Sequence, residues 1–598
     1  MCGICGIVDP SKSIAKAELQ RMADSMRHRG PDADGVWVSP DRGFGFGHRR
    51  LSIIDLDARS NQPFLSDDGM LALTFNGEIY NFLEIKHELE TKGHHFRTQS
   101  DTEMILHAYA EWGTDCVRRF RGMFAFGLAD LRQRRLWLVR DRLGKKPLLY
   151  YRKDDLLMFA SEFAALVEND RCDSEVDLTA LYDSLTYFYI PAPKTAYRHI
   201  RKVRPGHWLL WENGTITEQK YWDIENVGTT MVDETAAVNR VRELIEDSVF
   251  LRMISDVPLG ILLSGGLDSS AVAYYAQKRS TEPVHTYSIG FDVEAFDETA
   301  DAQRVADYIG SQHTVRTYSL SAALTEGARI IHLYGEPHGD VSIFPTTAVC
   351  KIAREHVTVA LSGDGGDELF WGYNHFRAYL DHDKPAPGLL RNTGSALVRR
   401  LLPMGMKGRN FALRYLTADF DLHTATMGGV QRDDKLRLIS PDLHDLFRGY
   451  DDYWAYREHW RTELPLRSRL QYLDLKTYLA EGVLMKMDRA SMSVSLESRA
   501  PLLDHVLIEE VFSWPEQIRN NGQTLKYLFK KAMTGILPDA VLQKPKQGFS
   551  VPWRHWIRSW EDMRNLTGDG SFFRKNLRLP PIYMVLVLQD WLKKRNSG

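Results

Sequence analysis

The sequence predicts two unlike halves: a layered α+β domain around two sheets, then an α/β domain with an open parallel sheet. Three observations predict this. The first third of the chain carries many short apolar runs and few helix-like stretches, as sheets packed in layers require. From residue 257 onward, strand-like runs alternate with helix-like segments, the pattern of a parallel sheet covered on both faces. At 598 residues the chain is also too long for a single core.

Composition narrows the function classes. Hydrophobic residues make up 43% and charged residues 26%, ordinary for a soluble globular protein. A formal net charge of −3 gives no footprint for nucleic acid and no polybasic patch for a membrane. No apolar run of about 18 residues and no basic–apolar leader occurs, so the cytoplasm is the expected location. The five cysteines are an odd number, widely spread, and do not read as a disulfide framework. Cys2 and Cys5 form a Cys-x-x-Cys, but no second pair follows at metal spacing. Cys5 lies in the apolar run 4–8, which reads as a first strand, and is expected in the core.

Cys2 is different. Small Gly3 beside it favours removal of Met1, after which thiol and α-amine would share one residue. A free α-amine titrates near pH 8 and can serve as the base for its own thiol. The elements that follow put polar groups beside strands. Arg27-His28-Arg29-Gly30-Pro31-Asp32 comes first, then His48-Arg49-Arg50-Leu51-Ser52-Ile53-Ile54-Asp55. The triplet Asn76-Gly77-Glu78 is expected at a sharp turn after a strand over 70–75. Ser100-Asp101-Thr102-Glu103 opens an amphipathic helix, with Met104, Ile105, Ala108 and Tyr109 on its apolar face. Strands are expected over 122–128, 136–139 and 148–151.

In order and spacing these stretches, with Met1-Cys2-Gly3-Ile4 and Gly122-Met123-Phe124-Ala125-Phe126, resemble the class II glutamine amidotransferase domain. The resemblance implies an N-terminal-nucleophile fold, two sheets sandwiched between helices, that hydrolyses glutamine to glutamate and ammonia. Cys2 would attack the side-chain amide. Asn76 and Gly77 would supply the oxyanion donors. Arg50 matches the position that forks glutamine's α-carboxylate, with Arg49 as an alternative, and Glu78 and Asp101 are the carboxylates for its α-ammonium.

Between the halves, Tyr189-Ile190-Pro191-Ala192-Pro193 and Arg204-Pro205-Gly206 break the pattern, and 208–211 with 216–221 read as a closing hairpin. The boundary is expected within 215–235, before a helix over 235–251. The second half then opens with Val257-Pro258-Leu259-Gly260-Ile261-Leu262-Leu263-Ser264-Gly265-Gly266-Leu267-Asp268-Ser269-Ser270. A buried strand feeding a glycine turn and a helix start aims backbone N–H groups at an anion. Asp268 would repel a bare phosphate, and makes sense if Mg²⁺ bridges carboxylate and phosphates. Further strands are expected over 284–290, 313–315 and 357–361, with helices over 269–277 and 298–309. Neither a Walker P-loop nor Gly-x-Gly-x-x-Gly is present. A second strand-end loop, Leu361-Ser362-Gly363-Asp364-Gly365-Gly366-Asp367-Glu368, supplies Asp367 as a partner carboxylate for the same cation.

Ser264-Gly265-Gly266-Leu267-Asp268-Ser269 resembles the pyrophosphate loop of the N-type ATP pyrophosphatases. Together with 362–368, Met485-Lys486-Met487-Asp488-Arg489-Ala490-Ser491-Met492, 495–504, Lys526-Tyr527-Leu528 and 544–552, it resembles the synthetase domain of glutamine-dependent asparagine synthetases. That resemblance implies ATP as substrate and Mg²⁺ on Asp268 and Asp367. Leu262 and Ile289 would line the adenosine, and Ser362 and Gly363 would touch the nucleotide. Lys526 would stabilise the adenylated intermediate. Two departures concern the acceptor. Asp364 stands where such enzymes carry Glu, and 335–345 holds no arginine to fork an acceptor's α-carboxylate. Trp371, where the family often has glycine, is expected to reshape the same pocket.

Together the resemblances imply an αββα N-terminal-nucleophile sandwich over 2–215, then an α/β parallel-sheet ATP-pyrophosphatase domain with helical additions over 235–598. They imply ATP-driven adenylation of the aspartate side chain and amidation by ammonia channelled from Cys2. They also imply glutamine, ATP and a carboxylate acceptor as ligands, and a homodimer, as the family often forms. One alternative is another acceptor carboxylate, on a surface sugar, peptide or secondary metabolite. The other is a glutamine-binding regulator with a dead ligase half, against which an intact 264–270 and Asp367 argue.

Overall fold

The computed structural model describes residues 1–224, 228–319, 332–376, 419–427, 432–545 and 579–596, with isolated positions between them. The N-terminal strands are β1 (Gly3–Val8), β2 (Ala33–Val38), β3 (Phe44–Arg50), β4 (Phe64–Leu65), β5 (Leu71–Ile79) and β6 (Gly122–Asp130). After them come β7 (Arg135–Arg140), β8 (Leu149–Lys153), β9 (Leu156–Ala160), β10 (Ile200–Lys202), β11 (His207–Glu212) and β12 (Thr215–Lys220). They form two six-stranded sheets, in the orders β10-β8-β9-β1-β3-β2 and β12-β11-β7-β6-β5-β4.

Period-two alternation sorts β1 between two layers. Ile4 and Val8 face the other sheet, packing with Phe46, Ala125 and Phe159. Cys5 and Ile7 face outward, against Leu19 and Met22 of the helix Lys16–Asp24. On the far side, Phe75, Phe126 and Val139 pack beneath the helices Phe82–Thr91 and Asp101–Trp112. The result is the helix–sheet–sheet–helix sandwich expected. Strand β12 runs to Lys220, past residue 215.

The third sheet holds β13 (Leu259–Leu262), β14 (His285–Phe291), β15 (Gln312–Tyr318), β16 (Val359–Leu361) and β17 (Glu497–Arg499). Its order is β15-β14-β13-β16-β17, and every pairing is parallel. The chain lays down β13 first, builds outward through β14 and β15, then crosses back to place β16 on the other side. That reversal opens a crevice at the carboxyl ends of β13 and β16, where α/β sheets bind ligands. Helices Glu234–Arg252, Leu267–Arg279 and Thr299–Ile309 follow the expected pattern within a few residues.

Two features depart from expectation. Asn76-Gly77-Glu78 is not a turn: all three lie inside the continuous strand β5, paired with Ala125, Phe124 and Met123. Gly77 serves close approach there, because a Cβ would collide with the Met123 carbonyl. The helix Leu579–Asn596, at the end of the second half, packs back onto the first. Trp591 joins the cluster of Ile7, Leu181 and Tyr197, and its indole N–H donates to the Gly335 carbonyl (3.2 Å). No described helix is long and apolar enough to cross a membrane.

Candidate active site

Cys2 sits just ahead of β1, 8% exposed, in a cavity of about 30 Å³ lined also by Met1, Arg50, Gly77, Glu78 and Asp101. β5 carries Asn76 directly beneath it. The Cys2 backbone N–H donates to Asn76 Oδ1 (3.0 Å), which turns the side chain so that its Nδ2 is buried without a protein partner. An orphaned buried donor beside a nucleophile is costly unless something else uses it, and an oxyanion would. Burial pushes the Cys2 thiol up, partly offset by the terminal ammonium and Arg50.

Strand alternation separates the two arginines at the end of β3. Arg49 pairs with Asp24 and with Asp34 (3.3 Å), away from the cavity. Arg50 enters it, held by the carbonyls of Asp57 (3.0 Å) and Asp55 (2.5 Å) and by Asn61 Oδ1 (2.8 Å). Among the described residues no carboxylate pairs with Arg50, so its charge remains for a ligand. Asp101 Oδ2 accepts from the Ile79 N–H (2.9 Å). Burial, with the Glu497 charge nearby, lifts Asp101 to about 7. Burial, then Glu497 and Asp101, raise Glu78 as well.

Glu497 was assigned no role from sequence. It belongs to β17 of the third sheet, yet it pairs with the Met1 terminal ammonium (3.0 Å) and with Arg499 Nε (2.6 Å). Burial opposes its charge, but that ammonium and Arg499 hold it down to about 2. Arg499 Nη2 also lies 3.5 Å from Glu78. One carboxylate at this first site therefore comes from the other half of the chain.

Arg29 makes a second tie. Fully buried, it donates from Nε to the Cys2 carbonyl (3.1 Å), from Nη1 to Glu162 (2.8 Å), and from Nη1 and Nη2 to Asp488 (2.8 and 3.0 Å). Asp488 lies on the helix Met485–Met492, whose Lys486 and Met487 line the second cavity. The π-helical stretch Leu475–Leu484 just before it brings Glu481 to Lys202 (3.0 Å) and Arg140 (3.3 Å), and Val483 to that cavity.

The second cavity, about 210 Å³, opens at the crevice between β13 and β16. Leu262, Ser264, Asp268, Ser269, Ile289, Ser362, Gly363, Asp364 and Asp367 all line it. Gly265 turns the chain at φ 69°, and a Cβ there would meet the Ala302 backbone N at 2.6 Å. Gly266 caps the helix Leu267–Arg279, and Ser269 Oγ accepts from the Ser264 N–H (3.1 Å), closing the turn. A Cβ on Gly363 would press on the Ser269 backbone N at 2.7 Å, so the two loops pack backbone to backbone. Ser362 Oγ donates to Asp364 Oδ2 (2.7 Å). Apolar Phe291, Phe296 and Val349 line the same cavity near Ile289.

Lys526 precedes the helix Tyr527–Met533 in a left-handed conformation (φ 56°, ψ 35°) and does not lie on that helix. Its Nζ lies 2.6 Å from Asp268 and 2.7 Å from Asp367. Burial alone would lower its pKa, but the two carboxylates raise it above the ordinary lysine value. Asp268 and Asp367 thus converge on one cationic point, and two hard carboxylates beside a phosphate-shaped turn suit Mg²⁺. Glu368, also on the cavity wall, accepts from the Tyr373 hydroxyl (2.6 Å). Burial, then the Asp367 charge, lifts it to about 8.

Trp371 corrects an expectation. It does not line the cavity; 1% exposed, it stacks on Phe376 at 4.7 Å and packs with Leu470 and Leu525. Its φ of 62° explains why glycine suits the position. Of the stretch 544–552, residues 546, 547 and 549–552 lie outside the described residues.

Residues 1–222 match the family described as glutamine amidotransferase domain, and residues 240–571 match the family described as asparagine synthase. The chain is 35% identical over 572 residues to asparagine synthetase (glutamine-hydrolyzing) 1 of Bacillus subtilis, covering 94% of this chain and 88% of that one. Asparagine synthetase (glutamine-hydrolyzing) 3 of the same organism is 31% identical, with 92% of this chain and 87% of that one covered. Amidase chry2 of Gibberella zeae is 29% identical, with coverage of 93% and 90%. Two site architectures, two family matches and end-to-end relatives agree: the chain belongs to the asparagine synthase family, with a glutamine amidotransferase domain ahead of its synthase domain.

Proposed function

We propose that the protein makes asparagine from aspartate, ATP and glutamine. The observation that carries this is the pairing of two sites in one chain: an unpartnered donor beside Cys2, and two carboxylates converging at the β13/β16 crevice. Cys2 Sγ attacks the glutamine amide carbon, Asn76 Nδ2 and the Gly77 N–H hold the oxyanion, and ammonia leaves as a thioester forms. Water then cleaves the thioester to glutamate. Arg50 takes the substrate's α-carboxylate, and Glu78 and Asp101 its α-ammonium.

In the second cavity, Ser264, Gly265, Gly266 and Ser269 cradle the β- and γ-phosphates, while Leu262 and Ile289 hold the adenosine. Mg²⁺, held by Asp268 and Asp367, would neutralise the departing pyrophosphate. The acceptor carboxylate oxygen bonds to the α-phosphorus as pyrophosphate leaves, and ammonia displaces AMP to leave an amide. Asp364 and Lys526 stand beside the reacting groups. Leu51, on the wall of the first cavity, belongs to an apolar cluster with Met123, Val359 and Met492, and apolar surroundings of that kind favour ammonia in its neutral, nucleophilic form. Cytoplasmic location, a homodimer and division into 2–215 and 235–598 belong to the same reading.

One observation favours a second acceptor. Among the described residues no arginine lines the second cavity; apart from Lys526, the cation there is Lys486, 3.0 Å from Ser342 Oγ and 3.7 Å from Asp340. An acceptor with a single carboxylate fits that charge pattern too. Pyrophosphate release with ATP, Mg²⁺ and aspartate decides. Aspartate-dependent release supports asparagine synthesis, release only with another acid replaces the acceptor, and none with any acid refutes the ligase reading.

A further inference from the structure

Lys526 occupies the very position that the two candidate metal ligands define. Its ammonium makes three contacts, at 2.6 Å to each Asp268 oxygen and 2.7 Å to Asp367 Oδ1. The seat is built for it. Lys526 is 7% exposed and holds a left-handed backbone, the kind of conformation that persists only where surroundings enforce it. Gly372 leaves the slot through which its stem passes, since a Cβ there would collide with both Lys526 Cε and Asp367 Oδ1.

We infer that Lys526 is the resident counter-ion of the nucleotide site: its ammonium fills the cation seat between Asp268 and Asp367 until a nucleotide brings in the divalent ion, and then transfers to the phosphates. This rests on the reading of Asp268 and Asp367 as the metal seat. Two converging carboxylates with nothing between them repel, so the ligand-free site needs a positive charge. Phosphates supply the ammonium with a new partner, and only then does the seat become free without stranding a buried charge. A lysine suits the exchange, being a compact point charge on a flexible stem, where a forked arginine would be tied in place. Binding of the divalent ion should therefore depend on nucleotide.

The test is Mn²⁺ titration of the full chain followed by electron paramagnetic resonance, with and without α,β-methylene-ATP. The wild-type protein is expected to gain a Mn²⁺ site only with the nucleotide. Lys526→Met is expected to bind Mn²⁺ without nucleotide at least tenfold more tightly than wild type, and the added change Asp367→Asn should abolish that site. Lys526→Gln serves if the methionine variant unfolds. Wild-type protein that binds Mn²⁺ equally with or without nucleotide overturns the exchange. So do folded Lys526 variants that gain no site while wild type with nucleotide has an Asp367-dependent one. Nucleotide-supported binding that is indifferent to Asp367→Asn removes the metal seat itself, and the inference with it.

Discussion

The cavity at Cys2 measures about 30 Å³, and the one at the carboxyl end of β13 about 210 Å³. The first is little more than one water molecule's share of liquid, roughly 30 Å³. Met1 lines it at 2% exposure, so a glutamine side chain has room only once that residue is gone. Two of its working groups, Arg50 on β3 and Asn76 on β5, are held by backbone partners that no ligand needs to displace. The second cavity is framed by loops, and its opposing charges are already paired to each other. One site is pre-set and waits for space. The other has space and waits for its charges to be re-paired.

That contrast breaks most sharply at Cys2. Cys2→Ala should lower glutamine-dependent amide synthesis at least 10³-fold while ammonia-dependent synthesis stays within about twofold, since the second site is untouched. Loss of both in a side-by-side kinetic assay would mean the sites are not separable. Asn76→Ala removes the orphaned donor and should cost glutaminase kcat about 10²–10³-fold with little change in KM. An equal rise in KM would reassign Asn76 to ground-state binding.

The halves meet at Asp488, so Asp488→Asn tests whether the pre-set site depends on the other. Removing the Asp488 charge leaves Arg29 to Glu162, a carboxylate it shares with Arg489, and about 3 kcal/mol of stability should be lost by denaturant titration. Glutaminase activity should fall with it, because Arg29 also holds the Cys2 carbonyl. A variant as stable and active as wild type would show the tie to be incidental.

The smallest expected effect is a pH dependence. Asp101 is lifted to about 7, so it is neutral below that pH and anionic above it. Glutamine's α-ammonium should therefore bind more tightly as pH rises, with KM falling up to roughly tenfold from pH 6 to pH 8. Glu78, Glu497 and Arg499 face the same group, and Asp101→Asn should flatten the profile if Asp101 is its source. For stability the sign reverses. The native state keeps a proton that the unfolded chain loses near 3.8, so this carboxyl destabilises the fold as pH climbs from there toward 7.

Legibility followed chain locality. The loops 264–269 and 362–368 could be read because each is one strand end with its own glycines, and Gly266, Gly363 and Gly366 answer to contacts within that pair of loops. The carboxylate at Glu497 could not, because only the pairing of β17 with β16 carries it to the amino terminus, and no spacing announces that. Asn76-Gly77 misled for a local reason. Asn-Gly favours turns in isolation, but here sheet neighbours on β6 require the missing Cβ, and the strand runs on. Trp371 misled for the opposite reason: a large aromatic beside a pocket looks like a wall, yet its backbone conformation turns it into the adjoining core.

The returning helix Leu579–Asn596 has a consequence for the order in which the protein is made. Arg595 reaches Ser174, a partner 421 residues earlier in the chain, and Trp591 completes a cluster begun by β1. A sandwich that leaves the ribosome first would ordinarily finish folding first. Here its outer layer stays open until the chain has grown past residue 591, when Trp591 covers it.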